Sequence, residues 1–577
     1  MELRCSSRVR KPNRNKNFIY SDSDESKEEH IMLLQTTLGE GACLSCEEPK
    51  NFNEANRTIE WKNAMQEEYD SLVKNGTWEI TDLPADRKAI DCKWTYRLKK
   101  NADGSIARHK ARLVAKGFTQ KEGIDYNETY APVVKFTTIR TLLALAALKG
   151  YSIKQADVTT AYLNAKVKEE LYMRQPDGFE IASIDGKDKV LQLKKALYGL
   201  KQSGHNWNAK LHKWLIKNNM KQSSADPCLY TLDTEDATKF LALVWVDDFI
   251  TIDNNDSVRK ELMAKLSEKC KMVDLGNVKW VLGTHVTQQN GTVKLDQEKY
   301  AKELLAEFNM ENCRTAKTPA STPSPENADT PEEVANKREY LQMVGSLMYL
   351  AVVSRPDIAF AVGKAGRKMQ SPTEGDLNEV KRIFRYIKSE PKLELKYSRH
   401  GNSKLIGYAD SDWATNQDNR RSTTGYVFTL GGAAISWSSK KQASVALSTT
   451  EAEYMALSAA NQEALYLRAL LRDLKHEQTE PTKIYQDNQG TIKLAENAMV
   501  SKRSKHIDVQ YHFIRENIIA KNITLEYKKT QEMLADCLTK AVGKNVLDRC
   551  LPGIFGLFRL RGSVESQPHN QRGLQWE

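Results

Sequence analysis

Apolar residues recur three and four apart from Trp61 onward, with Ala64, Met65 and Leu72 on one face, which predicts an amphipathic helix and the start of folded structure. Strand-like Trp94–Leu98 and basic Arg108–Lys116 flank Asn101-Ala102-Asp103-Gly104, the pattern of a hairpin. An Ala/Leu-rich run from Thr138 to Leu148 predicts a helix stopped by Gly150, and the strand after it contains Asp157. Two β-branched stretches meet at Asp247-Asp248 within Leu241–Ile252, placing both acids at a hairpin tip. Helical periods return at Tyr340–Val353 and Leu377–Lys388. From Leu405 the rhythm changes to a strand, a meander about Gly431-Gly432, a long helix after Ser448, the strand Lys483–Gln486 and a final helix over Gln531–Val542.

These segments imply an α+β multidomain chain, since 577 residues exceed what one hydrophobic core supports. The predicted layout is a disordered basic then acidic leader (1–55), a first folded region (56–300), a helical segment (301–399) with a Pro/Ser/Thr-rich loop at 318–331, an α/β domain (400–545) and an irregular tail (546–577). No apolar run approaches the roughly 18 residues of a membrane span, and no apolar segment follows Arg4, Arg8, Arg10 and Lys11 as a secretory signal requires. The expectation is an intracellular protein without membrane contact. Among nine cysteines only Cys43 and Cys46 stand at zinc-like spacing, and no second Cys or His pair accompanies them, so reduced bystander thiols are the default. A net charge of +11 suits a polyanionic partner and equally suits ordinary solubility.

The acids raise the chemical question. Asp-Asp is a poor two-residue turn, because neither residue takes a positive φ as easily as Gly, whereas a bound divalent cation would account for the pair. Asp157 meets the pair only if its strand lies beside theirs; three carboxylates on adjacent strand ends make a hard oxygen site for Mg²⁺ or Mn²⁺. Arg108, Lys110 and Arg112, two apart, share a strand face that is either solvated or turned to phosphate.

In the α/β domain, Ser448-Thr449-Thr450-Glu451 fits a capping box, which explains Glu451. Glu453 instead falls on the apolar stripe of Ala456, Leu457, Ala460, Ala464, Leu467 and Leu471, where a carboxylate needs a partner such as a metal. Asp410 and Asp487 each end a strand, and Asp536 sits in the last helix, where alone it reads as a solvated acid.

Asp157-Val158-Thr159-Thr160-Ala161-Tyr162-Leu163-Asn164, Leu197-Tyr198-Gly199-Leu200-Lys201-Gln202-Ser203 and Val246-Asp247-Asp248 resemble the three palm motifs of copia-type LTR-retrotransposon reverse transcriptases. Arg112–Phe118, Tyr130–Val133 and Asp274–Gly276 match in order too. The resemblance implies a right-hand polymerase, with fingers, an antiparallel palm sheet and a helical thumb or connection. It implies Asp157, Asp247 and Asp248 as catalytic metal ligands, Tyr162 as the gate against a ribose 2′-hydroxyl, and Lys110, Arg112, Lys201 and Trp245 as substrate-binding residues. Trp245 stands where the family usually has Tyr, and Ser203-Gly204-His205 where it has Ser-Pro-Arg, a loop without the rigid φ and fixed charge.

Tyr408–Trp413, Ser448–Tyr454, Lys505–Asp508 and Leu534–Asp536 are similar to the copia-type ribonuclease H. That resemblance implies a ribonuclease H-like α/β domain in which Asp410, Glu453, Asp487 and Asp536 hold two ions and water attacks the RNA strand of a hybrid; Asp412 and Glu451 are the alternatives if the register is shifted. His506, bracketed by Lys502, Arg503 and Lys505, suits phosphate contact better than catalysis.

Together the resemblances imply an RNA-directed DNA polymerase with ribonuclease H, using two Mg²⁺ or Mn²⁺ per site. Its partners would be RNA template, DNA primer, RNA–DNA hybrid, deoxynucleoside triphosphates and an integrase from the same polyprotein, in a cytoplasmic particle or the nucleus. Ser7-Arg8-Val9-Arg10-Lys11-Pro12 resembles the joint that follows integrase, so a downstream piece of a longer frame is expected; no Asp-Ser-Gly or Asp-Thr-Gly protease motif occurs. The alternative is a degenerate or co-opted relic that binds nucleic acid without catalysis.

Overall fold

The computed structural model describes residues 48–100, 105–181, 189–233, 239–322, 333–413, 420–496 and 508–557. The leader up to residue 47 with Cys43 and Cys46, the hairpin tip 101–104, most of the 318–331 loop, His506 with its basic bracket and the tail beyond 557 lie outside the described residues.

The helix Ile59–Lys74 buries Trp61, Ala64, Met65 and Leu72 as their spacing requires. It covers the hairpin of Cys92–Lys100 and Ile106–Ala115, whose Trp94, Tyr96 and Leu113 share its core. A three-stranded antiparallel sheet of Trp78–Asp82, Lys189–Lys195 and Lys166–Met173 completes this region.

Next comes a six-stranded sheet in the order Met272–Asn277, Ser152–Val158, Asp248–Asp253, Lys239–Trp245, Leu229–Asp233, Lys221–Gln222. The helices Ser203–Lys217 and Asp256–Ser267 supply Trp207, Leu211, Leu215, Leu262, Met263 and Leu266 to its core. Each such side chain fully withdrawn from water contributes about 1.5–3 kcal/mol before entropy is counted.

The segment expected to be helical does contain Lys337–Val353, Ala359–Gly366 and Glu374–Ser389, the last opened by a capping box of Thr373 and Asp376. It also contributes a strand. Leu395–Ser398 pairs with Thr292–Asp296, adding to a sheet with Thr284–Gln289 and Trp280–Val281. The expected boundary at 300 therefore cuts a single packed unit.

The last region is a five-stranded sheet in which Ala433–Lys441, Thr423–Leu430 and Ile406–Ser411 run antiparallel, while Thr482–Gln486 and Ile523–Tyr527 join in parallel. The helix Thr449–Asp473 packs on it through Ala456, Leu457, Ala460, Ala464, Leu467 and Leu471. Two expectations fail here. Residues 531–542 are not one helix, because only Asp536–Thr539 is α-helical after a 3-10 turn at Thr530–Glu532. The irregular tail begins with a helix, Lys544–Phe555, whose Pro552 hid its period. No helix among the described residues is long and apolar enough to cross a membrane.

The Phe136–Lys149 helix ends at Gly150, which takes φ 70° as a left-handed cap. It is buried from Phe136 to Ala147 and touches strands Thr292–Asp296, Leu395–Ser398 and Ala433–Lys441. Its Arg140, 2% exposed, donates to the carbonyls of Ile435 (2.7 Å), Val352 (2.8 Å) and Val353 (2.9 Å), and its guanidinium carbon lies 3.9 Å from the Trp437 ring centroid. A second tie joins the same regions: Asp473 accepts from Ser223 Oγ at 2.7 Å and from the Ser224 N–H at 2.8 Å.

Candidate active sites

The acid hairpin pairs Asp248 with Trp245 across strands Lys239–Trp245 and Asp248–Asp253, leaving Val246 and Asp247 as the turn. This corrects the expected geometry, since Asp248 begins a strand and only Asp247 sits at the tip. The positive φ that Asp-Asp supplies poorly is taken by Val246 at 52°, costly for a β-branched residue. Two bonds hold it there: Trp207 Nε1 donates to the Val246 carbonyl at 2.6 Å, and the Val158 N–H donates to the Asp247 carbonyl at 2.8 Å.

Asp157 lies directly opposite Asp248 in antiparallel register, so the two half-buried acids share one face of the sheet. Gln155, two residues back on that face, donates to Asp248 Oδ1 at 3.1 Å. Asp247 acts electrostatically on Lys110, Tyr162 and Tyr198, and Asp157 on Tyr198. Burial pushes the Tyr198 phenol up to about 12 against the opposing charge of Arg112. Arg112 lies 4.6 Å from the Tyr198 ring centroid, and Tyr162 meets that ring edge-on at 4.8 Å. Burial, followed by Arg112 and Lys99, lowers the Lys110 ammonium. Lys110 and Arg112 thus reach the palm, whereas Arg108 is exposed and paired with Glu67 at 2.7 Å.

Gly199 makes this approach possible. At φ 91° it lets the Ala115 N–H donate to the Tyr198 carbonyl at 2.8 Å, and any Cβ there would lie 2.1 Å from the Ala115 oxygen. Lys201 is held elsewhere: its Nζ donates to the Tyr126 hydroxyl at 3.0 Å and rides over that ring. The expected loop at Ser203-Gly204-His205 is instead the first turn of the Ser203–Lys217 helix, with His205 Nδ1 bonded to the Tyr130 carbonyl at 2.9 Å. Local periodicity gives Tyr198, Gln155 and Trp207 no part in the site, although Tyr198 stands within Leu197–Ser203.

The second site is tighter. Asp410, Glu453 and Asp487 each offer an oxygen within 4.8 Å of the others, the one acidic or thiol and imidazole set among the described residues to do so. Asp157, Asp247 and Asp248 do not close to that distance as a threesome. Asp410, 2% exposed, accepts from Thr539 Oγ1 at 2.5 Å; Glu453 accepts from Gln486 Nε2 at 3.0 Å; Asp487 accepts from Thr530 Oγ1 at 2.7 Å. Burial pushes the Asp410 carboxyl up to about 7, and burial together with Asp410 and Asp487 raises Glu453 well above its ordinary range.

Asp536 is buried beside them but outside the trio, paired with Lys540 Nζ at 2.7 Å. Burial opposes the Lys540 charge, yet Asp410, Asp536 and Asp487 outweigh it and hold the ammonium charged. The alternatives are occupied by structure. Glu451 accepts the Leu447 N–H at 2.8 Å at the helix start, and Asp412 accepts the Thr423 N–H.

Residues 75–322 match the family model described as reverse transcriptase (RNA-dependent DNA polymerase). The chain is 41% identical over 496 residues to the retrovirus-related Pol polyprotein from transposon TNT 1-94 of Nicotiana tabacum, covering 84% of this chain and 37% of that protein. It is 36% identical over 499 residues to the corresponding polyprotein from transposon RE1 of Arabidopsis thaliana, covering 86% and 34%. The chain spans about a third of the length of these curated relatives. Among solved structures, a foamy viral protease-reverse transcriptase in complex with double-stranded DNA matches with a TM-score of 0.44 at 12% identity over 82% of this chain and 70% of that one. Residues 75–322 thus match the reverse transcriptase family, and over most of its length the chain is similar to Pol polyproteins of plant copia-type retrotransposons.

Proposed function

We propose that this chain copies an RNA template onto a DNA primer at the palm acids and hydrolyses the RNA strand of the resulting hybrid at the Asp410 site. The observation that carries the reading is the convergence of Lys110, Arg112, Tyr162 and Tyr198 on the turn bearing Asp247. The donor sets suit hard divalent cations: all are carboxylates, Asp410, Glu453 and Asp487 gather within ligand distance, and burial penalises the charge of Asp410 and Glu453. Asp157, Asp247 and Asp248 would hold Mg²⁺ or Mn²⁺ on the palm, and Asp410, Glu453, Asp487 and Asp536 in the nuclease. Two bound ions would supply Lewis acidity to the attacking and departing oxygens.

The side chains have their own tasks. Lys110 and Arg112 offset triphosphate charge from the fingers, where partial desolvation strengthens each charge-assisted contact. Tyr162, braced by Tyr198, fills the space a ribose 2′-hydroxyl needs. Trp245, opposite Asp248 in register, packs beside the primer end. Lys201 takes a position on nucleic-acid backbone from its Tyr126 platform. An integrase from the same polyprotein remains the proposed protein partner.

Primer extension on an RNA template with Mg²⁺ or Mn²⁺, against Asp247→Asn, tests the polymerase. Extension by the parent chain and none by the variant is expected; no extension by the parent in either metal overturns the reading in favour of a nucleic-acid-binding relic.

A further inference from the structure

The segment Asp536–Lys540 serves the nuclease acids in two opposed ways. Thr539 Oγ1 donates to Asp410 Oδ2 at 2.5 Å, fastening the helical turn to the trio. One residue on, Lys540 places its Nζ 2.7 Å from Asp536 Oδ1, four positions back along the chain. Asp536 is 4% exposed, and the Lys540 side chain keeps 40% of its surface in contact with solvent. The ammonium also lies within electrostatic reach of Asp410 and Asp487, so it is a cation set among three of the four acids on a long, rotatable stem. Asp410, Glu453 and Asp487 meet within 4.8 Å, and the acid paired to Lys540 is the one that does not join them.

We propose that Lys540 is the resident counter-ion of this acid site, holding Asp536 apart from the trio, and that a divalent cation recruits Asp536 only by displacing the ammonium. The inference rests on the nuclease reading of the site and assigns Lys540 a positioning role. Two consequences follow. The ammonium suppresses carboxylate repulsion while the site lacks metal, and it competes with the ion that replaces it. Its partly exposed stem gives the head a short path to solvent, or to a phosphate of the bound strand, once Asp536 is released.

The test is calorimetric titration of the full chain with Mn²⁺, in a background carrying Asp157→Asn and Asp247→Asn so that the palm contributes little. Lys540→Met is expected to bind Mn²⁺ about tenfold more tightly, a modest share of the roughly one to three pKa units by which an adjacent opposite charge moves a carboxylate. Adding Asp536→Asn to Lys540→Met should abolish that gain. Lys540→Gln, which keeps a polar head, gives the same comparison if the Met variant does not fold, and Lys540→Arg should bind no more tightly than the parent. Mn²⁺ binding that Lys540→Met and Lys540→Gln leave unchanged or weaken overturns the role of Lys540 while the metal site stands. Absence of Mn²⁺ binding from parent and variants alike overturns both.

Discussion

Replacing Asp410 by Asn should stabilise the metal-free chain, increasingly so as pH rises. The carboxyl is pushed from the ordinary 3.8 up to about 7 because it is buried, with Asp536 and Asp487 adding to the effect and Lys540 and Thr539 opposing it. A raised folded-state pKa means that the folded chain prefers the protonated acid. Its stabilising contribution is complete below about pH 4 and is lost as pH climbs through about 7. Three units at 1.36 kcal/mol each set a loss of about 4 kcal/mol by pH 8. Asn has the same shape, still accepts from Thr539 through its amide oxygen, and does not ionise. For a unit of 150–250 residues, about 2–4 °C per kcal/mol converts the difference to roughly 10 °C. The assay is scanning calorimetry in EDTA at pH 4 to 8, following the transition that Mg²⁺ shifts in the parent. The variant should match the parent near pH 4 and melt above it at pH 8. Added Mg²⁺ should narrow the gap by binding the parent preferentially. A variant that melts at or below the parent at pH 8 refutes the claim that the site is strained by its own charge.

Three further outcomes are expected. Gly199→Ala drives a Cβ to 2.1 Å from the Ala115 oxygen at φ 91°, so it should cut primer extension more than about tenfold. Hybrid cleavage in the same preparation should be retained. Arg140→Met strips donors from the carbonyls of Ile435, Val352 and Val353 at ~1–3 kcal/mol each before relaxation. Calorimetry should show a loss on the order of 4 kcal/mol and a transition split in two. Tyr162→Ala removes the ring that Tyr198 braces and should raise the ribonucleotide to deoxynucleotide ratio of kcat/KM by more than about tenfold.

The parts readable in the sequence are those fixed by near neighbours. The Trp61, Ala64, Met65, Leu72 stripe, the Gly150 stop and the Glu453 position on an apolar face each follow from a local period, and each is found in the fold. Features set by partners far along the chain were not readable. Gln155 meets Asp248 and Thr539 meets Asp410 only because strands and turns bring distant segments together. Val246 shows a subtler failure: a β-branched residue reads as strand, and only the bond from Trp207 reveals that it absorbs the turn's strain. The helix at Lys544–Phe555 was hidden because Pro552 and Gly553 are breakers by propensity, although a Cβ at Gly553 would crowd Leu534 at 2.8 Å.

The burial of the Phe136–Lys149 helix has an evolutionary consequence. Buried from Phe136 to Ala147, the helix has few positions free to vary, and it answers to strands on both sides at once, Thr292–Asp296 with Leu395–Ser398 and Ala433–Lys441. A Cβ added at Gly431 would come to 3.5 Å from the Ala144 Cβ, ordinary contact distance, so the helix and the turn before Ala433–Lys441 lie close enough for added bulk on one to be felt by the other. Substitutions at this contact are therefore expected to be fixed in compatible pairs. Recombination that exchanges one activity for a divergent copy should succeed only when the helix and the Ala433–Lys441 strand travel together.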